Sequence, residues 1–412
     1  MRYWVETLGC PKNQVDSEKL AGRLESEGYE AAADPTSADL VVVNTCAFIE
    51  AARRESIETV LALSEARRPG ARLTVTGCLA ERYGEELAHA LPEVDAVAGF
   101  GVPVTLSRLH GGTEQPPKFD LLNLRRPPAS APWAYVKVAE GCDRKCGFCA
   151  IPSFRGPQRS RPFDAVLEEV DALGAKEIVL VAQDLASYGR DLGHKEIDRL
   201  VREVAGRVDR VRLLYLYPSE LSDGLIDVIG HTGCPYFDLS LQHVSRPHLR
   251  RMRRWGEGTR FLERIRRIRW LFPEAALRSS FIVGYPGETE DDHDQLLAFL
   301  SEAELEWAGF FPFSREEGTY AASLDGEVPD SLVSERLAEV SELQDEITAR
   351  RRRSLVGGKT RVLVDRPGVA RSHREAPEID GIIRLPDHLA AGSWCDVSIT
   401  AAFGPDLDAV PA

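Results

Sequence analysis

The stretch WAYVKVAEGCDRKCGFCAIPSFRG, residues 133–156, starts as a strand and continues into a loop with three cysteines. Apolar, β-branched and aromatic residues at its beginning are typical of a buried strand. Cys142, Cys146 and Cys149 then follow within eight positions. Structural metal sites usually take four protein ligands, and no histidine or further cysteine lies close by in the sequence to complete this set. The spacing therefore predicts a metal site with one open coordination position.

Strand-like and helical segments alternate from residue 133 to residue 314, in six successive units. This alternation favours a parallel sheet. Six units predict a partial (β/α)6 barrel instead of a closed eightfold one, with its functional residues at the C-terminal rim. The three cysteines follow the first of these strands, so we expect them at that rim.

A shorter strand–helix series precedes the loop and predicts a parallel α/β domain at the N-terminus. Its first three strands end in Cys10, Cys46 and Cys78, about one strand–helix repeat apart. The carboxyl ends of parallel strands meet along one edge of a sheet, so these distant cysteines are expected to be neighbours. The alternative is a chance set of buried thiols, because free cysteine packs as a small hydrophobe.

The chain ends in a different pattern from the one in which it begins. A long charged helix, about residues 330–353, leads into short alternating strands broken by Gly and Pro, which predict a small antiparallel β-barrel. Residues 111–131 are rich in Pro and Gly and indicate a linker. The fold class is therefore α/β with three expected domains, at residues 1–112, 128–353 and 354–412.

Composition restricts the possible functions. The 412 residues have a net charge of −14, no apolar run of membrane-spanning length and no apolar signal-peptide core at the N-terminus, so a cytoplasmic protein is expected. The negative charge argues against direct nucleic-acid binding and favours a basic partner. Residues 246–270 depart from this trend with ten Arg and two Glu, which indicates either a solvated helix face or a docking surface.

Three states of the cysteine loop are chemically possible: bound zinc, free thiols or a bound iron–sulfur cluster. Zinc can take three cysteines and a solvent or distant ligand, but a zinc ribbon would need a second Cys-x2-Cys knuckle, which is missing. Unligated thiols would be prone to oxidation. A 4Fe-4S cluster held by three thiolates leaves one iron free for a substrate or cofactor, which accounts for the missing fourth ligand.

The spacing of Cys142, Cys146 and Cys149, with the aromatic Phe148 before the last cysteine, resembles the signature of the radical S-adenosylmethionine superfamily. The resemblance implies that S-adenosylmethionine binds the open iron and is cleaved to methionine and a 5′-deoxyadenosyl radical. It also implies an electron donor such as a flavodoxin or ferredoxin. Such chemistry suits an unactivated C–H bond, which has no acidic proton for a general base to remove.

The whole chain is similar to one branch of that superfamily, the methylthiotransferases, which join an N-terminal domain, a radical barrel and a C-terminal TRAM domain. The motifs LGCPKN, VNTCAFIE and VTGC contain Cys10, Cys46 and Cys78. The resemblance assigns these three cysteines to a second 4Fe-4S cluster, which supports the sulfur that is inserted. A non-catalytic protein stabilised by iron–sulfur clusters is the alternative from a different functional class.

Within the methylthiotransferases, the motifs LGCPKNQVDSE, IPSFRGPQRSRP and REAPEIDGII resemble the branch that modifies the β-carbon of an aspartate in a small-subunit ribosomal protein, protein twelve. The other main branch modifies a tRNA adenosine beside the anticodon and remains the alternative. Residues 354–412 contain six Lys or Arg and eight Asp or Glu, a net charge of −2. This slightly acidic last domain suits a basic ribosomal protein better than RNA.

Further residues are implied by the resemblance or by their position. Gln183 and Gln242 follow barrel strands, and they are interpreted either as cofactor or substrate contacts or as residues that hydrogen-bond strand ends. Arg278 and Glu288 lie in a stretch that resembles the one flanking the adenosine, although Glu288 is also a candidate helix cap. Cys234 and Cys395 lack cluster spacing and indicate structural thiols.

Overall fold

The computed structural model describes residues 1–104 and 120–412. In these ranges the chain forms a parallel sheet, a six-stranded parallel half-barrel and a small closed barrel, so the predicted three-part fold is confirmed. The predicted end of the first domain at residue 112 and the linker residues 111–119 lie outside the described residues. Within the described ranges, no helix combines the length and apolar character that a membrane crossing requires.

The N-terminal sheet has five strands, all paired in parallel, in the order β2-β1-β3-β4-β5. Every residue of the strand LVVVNT is buried, as expected for a strand in a parallel sheet with both faces covered. The two-residue strand β2 was not predicted, because so short a segment has no readable pattern. The strands are β1 (Arg2–Thr7), β2 (Glu30–Ala31), β3 (Leu40–Thr45), β4 (Arg72–Gly77) and β5 (Ala96–Ala98).

Three helices connect these strands. The sequence VDSEKLAGRLESEGY predicts a helix with Asp16 or Ser17 as its N-cap, because both residue types favour that position. This start is wrong, since the helix begins at Pro11 with Cys10 as its N-cap residue. Proline has no N–H to lose at the first position of a helix and its fixed φ suits that position. The helices are α1 (Pro11–Ser26), α2 (Glu50–Ala66) and α3 (Cys78–Ala90).

The central domain is an open barrel of six parallel strands in the order β13-β12-β11-β10-β9-β6. Its helices pack on one face of the sheet and form the largest apolar core of the molecule. A two-stranded antiparallel pair, β7 with β8, holds the two ends of the cysteine loop together. The strands are β6 (Trp133–Lys137), β7 (Ala139–Glu140), β8 (Arg159–Ser160), β9 (Glu177–Val181), β10 (Arg210–Leu216), β11 (Tyr236–Gln242), β12 (Ala276–Val283) and β13 (Trp307–Pro312).

The helices of this domain follow the strands in turn, apart from α4, which follows the cysteine loop directly. The last and longest of them, predicted at about residues 330–353, covers that range and leads into the C-terminal domain. The helices are α4 (Ile151–Arg155), α5 (Phe163–Leu173), α6 (Ile197–Ala205), α7 (Asp223–Gly230), α8 (Arg246–Arg251), α9 (Gly258–Leu271), α10 (Glu290–Ala303) and α11 (Asp330–Arg353).

The C-terminal domain is a closed five-stranded barrel in the order β14-β15-β16-β18-β17. Its pairs are antiparallel, as predicted, except for β16 with β18, which is parallel. Closure removes the exposed strand edges that an open sheet of this size would present. The strands are β14 (Lys359–Arg366), β15 (Val369–Arg371), β16 (Ile383–Arg384), β17 (Trp394–Phe403) and β18 (Asp406–Pro411).

The loop between β15 and β16 packs against the face of the central sheet that lies opposite the helices. Tyr135 donates a hydrogen bond to the carbonyl oxygen of Pro377 (3.0 Å), and Tyr236 donates one to Asp380 (2.6 Å). Trp307 donates to the carbonyl oxygen of Arg374 at 2.7 Å. The last domain therefore fills part of the open barrel.

A buried ion cluster reinforces this contact. Glu177 is fully buried and pairs with Arg212 of the central sheet (2.9 Å) and with Arg371 of the last domain (3.2 Å). Burial alone would raise the pKa of this carboxyl, but the arginines outweigh it and lower the pKa to about 2.

Glu177→Gln is expected to lower the free energy of unfolding by roughly 3–5 kcal/mol, because the buried Arg212 loses its carboxylate partner and Arg371 is left with Asp365 alone. The folded-state pKa lies below the usual value of 4.5, so this stabilisation is fully present above pH 4.5 and is lost as the pH falls toward 2. Urea unfolding at pH 7 measures the effect. Glu203→Gln is the control, since its exposed pair with Arg207 is worth about 0.5 kcal/mol at most. Equal effects of both variants would contradict the assigned role of the buried cluster.

Candidate functional site

The loop with Cys142, Cys146 and Cys149 lies at the C-terminal rim of the open barrel, between β7 and β8. The N–H of Gly147 donates to the carbonyl oxygen of Met252 (2.8 Å), and its own carbonyl accepts from the N–H of Ala321 (2.8 Å). A Cβ at residue 147 would lie 2.8 Å from the hydroxyl of Tyr285, so glycine is required there. The segments that follow β11 and β13 thus hold the loop in place.

The sulfur atoms of this loop are largely buried and influence one another. Burial is the main cause that raises the pKa of Cys142 to about 11 and that of Cys149 to about 12, and Cys146 adds to both shifts. Two donors face the sulfurs: the N–H of Arg144 lies 3.4 Å from Cys142 Sγ, and Arg254 Nη1 lies 3.3 Å from Cys146 Sγ. Binding of a metal centre here must therefore release protons from the buried thiols.

Phe148 and the two predicted glutamines lie around this loop or at the ends of barrel strands. Phe148 is partly buried and packs against the core of the central domain. The side-chain amide of Gln183 donates to Glu140 Oε1 at 2.9 Å, and its side-chain oxygen Oε1 is buried without a hydrogen-bond partner. Gln242 ends β11 with a φ of +72°, and Tyr215 near the end of β10 has a φ of +66°. Left-handed backbone at non-glycine residues is costly and concentrates at functional sites.

Arg278 and Glu288 are both held by protein partners. Arg278 lies 3.2 Å from Asp238 and 3.4 Å from Asp380 of the last domain. Burial raises the pKa of Asp380 to about 6 against the opposing effect of Arg278. Glu288 is buried and accepts from the N–H of Gly284 (2.7 Å) and from Arg336 (2.9 Å).

The helix after Glu288 has its own cap. Thr289 and Asp292 form a capping box at the start of α10. Glu288 instead closes the turn that leads from β12 to this helix.

The N-terminal cysteines are brought together at the carboxyl edge of their sheet. Cys10 caps α1, Cys46 follows β3, and Cys78 is the first residue of α3. Asn13 ties two strand ends together, since its side-chain amide donates to the carbonyl oxygens of Leu8 (2.9 Å) and Thr45 (3.0 Å). Helix N-termini at two of the three cysteines provide a favourable electrostatic environment for a negatively charged group.

The backbone beside Cys46 leaves room only for glycine. Gly9 has a φ of +92°, and a Cβ there would lie 2.8 Å from Cys46 Cβ and 2.9 Å from Cys46 Sγ. The close approach of the ends of β1 and β3 therefore depends on Gly9.

The three N-terminal thiols differ in their protonation. Burial opposes ionisation of Cys10, but Lys12, Arg155 and the backbone N–H groups at the start of α1 outweigh it and lower the pKa of that thiol. Burial raises the pKa of Cys46 to about 12 and also raises that of Cys78. Cys10 is thus the thiol of this set that ionises most readily.

Both cysteine sets are spaced more widely than the ligands of a single zinc ion. The thiolates of one zinc ion lie about 4 Å apart, because each is roughly 2.3 Å from the metal. In the described residues, the one set of three metal-type side chains whose ligand atoms all lie within 4.8 Å of one another is His243, His248 and Glu288, so neither cysteine set is that compact. In a cluster each thiolate binds a different iron, which suits the wider spacing.

The histidine set itself is a poor metal site. The N–H of Ser245 donates to His243 Nδ1 at 3.1 Å. This hydrogen bond uses the lone pair of Nδ1 and places the proton of the neutral ring on Nε2, so neither nitrogen of His243 has a free lone pair for a metal ion.

The remaining predicted features are the two other cysteines and the Arg-rich stretch, residues 246–270. Cys234 is fully buried, and Cys395 is partly exposed on β17. In the Arg-rich stretch, Arg264 pairs with Asp223 at 2.7 Å and Arg260 pairs with Glu257 at 3.1 Å. Much of the positive charge of that surface is therefore compensated by neighbouring carboxylates.

Sequence reasoning missed several residues around the two sites. Arg254, which contacts Cys146, lies in the Arg-rich stretch, but nothing in that run distinguishes it from its neighbours. Asp380 belongs to the motif REAPEIDGII, yet its contact with Arg278 joins two domains and has no local signal. Tyr215 lies against Lys12, whose ammonium group is 3.7 Å from the centre of the ring.

Three family models match consecutive parts of the chain. They are Uncharacterized protein family UPF0004 at residues 2–99, the Radical SAM superfamily at residues 136–300 and the TRAM domain at residues 356–411. These matches fall on the parallel sheet, the open barrel and the closed barrel respectively.

Relatives match over almost the whole chain. A protein from Moorella thermoacetica named ribosomal protein uS12 methylthiotransferase RimO is 43% identical over 98% of this chain and 97% of its own length. Proteins of the same name from Saccharopolyspora erythraea and Cutibacterium acnes are 43% and 40% identical, over 98% and 100% of this chain and 94% and 98% of their own.

A solved structure has a similar fold. The radical S-adenosylmethionine methyltransferase TsrM from Kitasatospora setae superposes with a TM-score of 0.50 and 17% identity, over 75% of this chain and 72% of its own. At this identity the similarity concerns the fold alone.

An open parallel barrel with a three-cysteine loop at its C-terminal rim defines a radical S-adenosylmethionine enzyme. An iron–sulfur cluster and S-adenosylmethionine are the cofactors of this class. The chain belongs to the family of ribosomal protein uS12 methylthiotransferases. It is therefore an enzyme that transfers sulfur-containing groups.

Proposed function

We propose that this enzyme inserts sulfur at the β-carbon of an aspartate in ribosomal protein uS12 and methylates it, giving 3-methylthioaspartate. The observation that carries the proposal is the pair of three-cysteine sites, one at the barrel rim and one at the edge of the N-terminal sheet, joined through buried side chains. The names of the relatives support uS12 as the substrate.

Cys142, Cys146 and Cys149 would hold the cluster that binds S-adenosylmethionine. Once bound there, cluster and cofactor supply hydrogen abstraction from an unactivated C–H bond, and a further S-adenosylmethionine supplies the methyl group. The chain's contribution is to fix the loop through the backbone hydrogen bonds of Gly147.

Cys10, Cys46 and Cys78 would hold a second 4Fe-4S cluster, which supports the inserted sulfur. Their common position at the carboxyl edge of the sheet supports this assignment, as do the helix N-termini at Cys10 and Cys78. The contact of Lys12 with Tyr215 supports an arrangement in which the N-terminal site faces the barrel rim.

The other proposed cofactor contacts are Phe148, Gln183, Gln242, Arg278 and Glu288. The unpartnered carbonyl oxygen of Gln183 and the left-handed backbone of Gln242 support roles at the reacting end of the barrel. Asp238 holds the guanidinium group of Arg278 in position, and the N–H of Gly284 holds the carboxylate of Glu288, which supports their roles as fixed contacts.

Electrostatics support a protein substrate over tRNA. The chain has a net charge of −14, and residues 354–412 have six basic and eight acidic side chains. Opposite charge steers a basic ribosomal protein toward this surface, whereas RNA would be repelled. We therefore propose no direct nucleic-acid contact and a cytoplasmic reaction.

A flavodoxin or ferredoxin is the proposed electron donor. The proposed domains are residues 1–112, 128–353 and 354–412.

In cells that lack the gene, uS12 is expected to lose the mass of one methylthio group on a single aspartate. Peptide mass spectrometry of the small ribosomal subunit measures this loss. Complementation with the Cys395→Ser variant should restore the modification, because Cys395 lies outside both cysteine sets. Unchanged uS12 together with loss of a methylthio group from a tRNA adenosine would instead identify the tRNA reaction.

A further inference from the structure

Arg155 connects the two cysteine sites. It is the last residue of the short helix α4, which follows the radical-site loop, the loop with Cys142, Cys146 and Cys149. Its side chain is only 2% exposed. Its Nη2 lies 3.0 Å from Cys78 Sγ and 2.8 Å from Asn13 Oδ1, both in the N-terminal domain. From its place just after the three cysteines of the loop, this arginine is expected either to be solvated or to neutralise charge at the site. Its burial excludes the first interpretation.

The guanidinium group is fixed on its other edges too. Its Nη1 donates to Glu140 Oε1 at 2.6 Å and lies 3.3 Å from Asp16 Oδ2. The ring of Phe100 stacks on it, with 4.3 Å between the ring centre and the guanidinium carbon. Held by two domains at once, this group cannot turn away from Cys78 without leaving a buried charge unpaired.

The surrounding charges leave the cation available to the sulfur. Lys137 also pairs with both carboxylates, with Glu140 at 2.6 Å and with Asp16. Two buried cations therefore face two carboxylates, the buried Asp16 and the partly buried Glu140, and the sulfur is the next acceptor for the guanidinium group of Arg155. A charged donor stabilises negative charge on a ligand sulfur more strongly than a neutral one does.

We propose that Arg155 sets the reduction potential of the cluster held by Cys10, Cys46 and Cys78, by donating a charged hydrogen bond to Cys78. Hydrogen bonds to ligand sulfurs favour the more electron-rich state of an iron–sulfur cluster and so raise its potential. The central domain thereby controls a cluster that it does not ligate. This inference rests on the second cluster of the proposed function. Arg155 is a positioning residue, since it acts through the ligand.

The radical-site loop offers a matched control. Arg254 Nη1 lies 3.3 Å from Cys146 Sγ, so in the described residues each cysteine set has one guanidinium group hydrogen-bonded to a sulfur. Arg254 lies in the segment before α9, and the sulfur that it contacts is Cys146 of the loop at the barrel rim. Replacing one arginine should therefore shift the potential of one cluster and leave that of the other.

The test uses the full chain with Cys142, Cys146 and Cys149 all replaced by Ala, reconstituted anaerobically so that only the N-terminal cluster forms. An electron paramagnetic resonance redox titration then compares Arg155→Gln, Arg155→Lys and Arg254→Gln. In Arg155→Gln the ratio of reduced to oxidised cluster at a given potential should fall at least tenfold, a decrease in midpoint of about 59 mV for a one-electron couple. Arg155→Lys should show a smaller decrease, and Arg254→Gln none.

The outcomes separate the two levels of the proposal. If the parent of this series binds a 4Fe-4S cluster and neither Arg155 variant moves its midpoint, the inference is wrong while the proposed function stands. If the parent binds no cluster, the second cluster is wrong and the inference falls with it. Arg155→Lys keeps a buried cation, so a midpoint can be measured even if Arg155→Gln does not fold.

Discussion

The Cys146→Ala variant is expected to form no 5′-deoxyadenosine from S-adenosylmethionine, while the parent enzyme does so under anaerobic reducing conditions. With one of three thiolates removed, the rim loop keeps only Cys142 and Cys149, too few to hold a cluster with a vacant iron. Iron content should fall from about eight to about four atoms per chain, because the N-terminal set is intact. Iron and sulfide analysis with chromatography of the nucleoside product measures both effects.

Cys395→Ala is the matched control, since this thiol lies on β17 of the last domain and belongs to neither set. It should keep both the iron content and the product. Deoxyadenosine formation by Cys146→Ala at the rate of the parent would mean that the rim loop is not the site of cofactor cleavage. The loss is expected to be complete because a thiolate is removed. Replacing Arg254, which only donates to that thiolate, should weaken the reaction without abolishing it.

The fold was readable from the sequence where long segments repeat a pattern. Buried runs such as LVVVNT and the amphipathic segments after them identify strands and helices, and parallel pairing follows from their alternation. The two-residue strand β8, which pairs with β7 and holds the rim loop, was not predicted because two residues carry no periodicity. The start of α1 was wrong because Asp16 and Ser17 have the propensity of caps but lie inside the helix.

The cysteine sets were predictable for a topological reason, whereas their surroundings were not. Once three parallel strands end in cysteine, the sheet brings those ends together whatever the intervening sequence is. The contacts of Arg155 with Cys78 and of Asp380 with Arg278 depend on how separate domains pack. Such contacts join residues far apart in the chain and leave no local pattern to read.

The Cys46→Ala variant is expected to cleave S-adenosylmethionine near the rate of the parent but to form no methylthio product on uS12. Cys46 is buried directly after β3 and, within the described part of the chain, makes no hydrogen bond to the rim loop; its N–H donates to Ser56 instead. Cys78 is a less suitable choice, because its partner Arg155 also binds Glu140, to which Gln183 donates beside the rim. Of the two, Cys46 therefore separates sulfur supply from radical formation more cleanly.

Deoxyadenosine and modified uS12 are measured in the same anaerobic reaction, with Cys395→Ala as the control that should form both. Parent-level product from Cys46→Ala would exclude the N-terminal set from sulfur supply. Loss of both products would mean that the N-terminal domain is needed for the rim site to assemble. Parent-level product from Cys46→Ala is expected only if thiolation does not use the N-terminal cluster. The position of Cys46 at the carboxyl edge of the sheet, beside the N-terminus of α1 and close to Gly9, argues against that result.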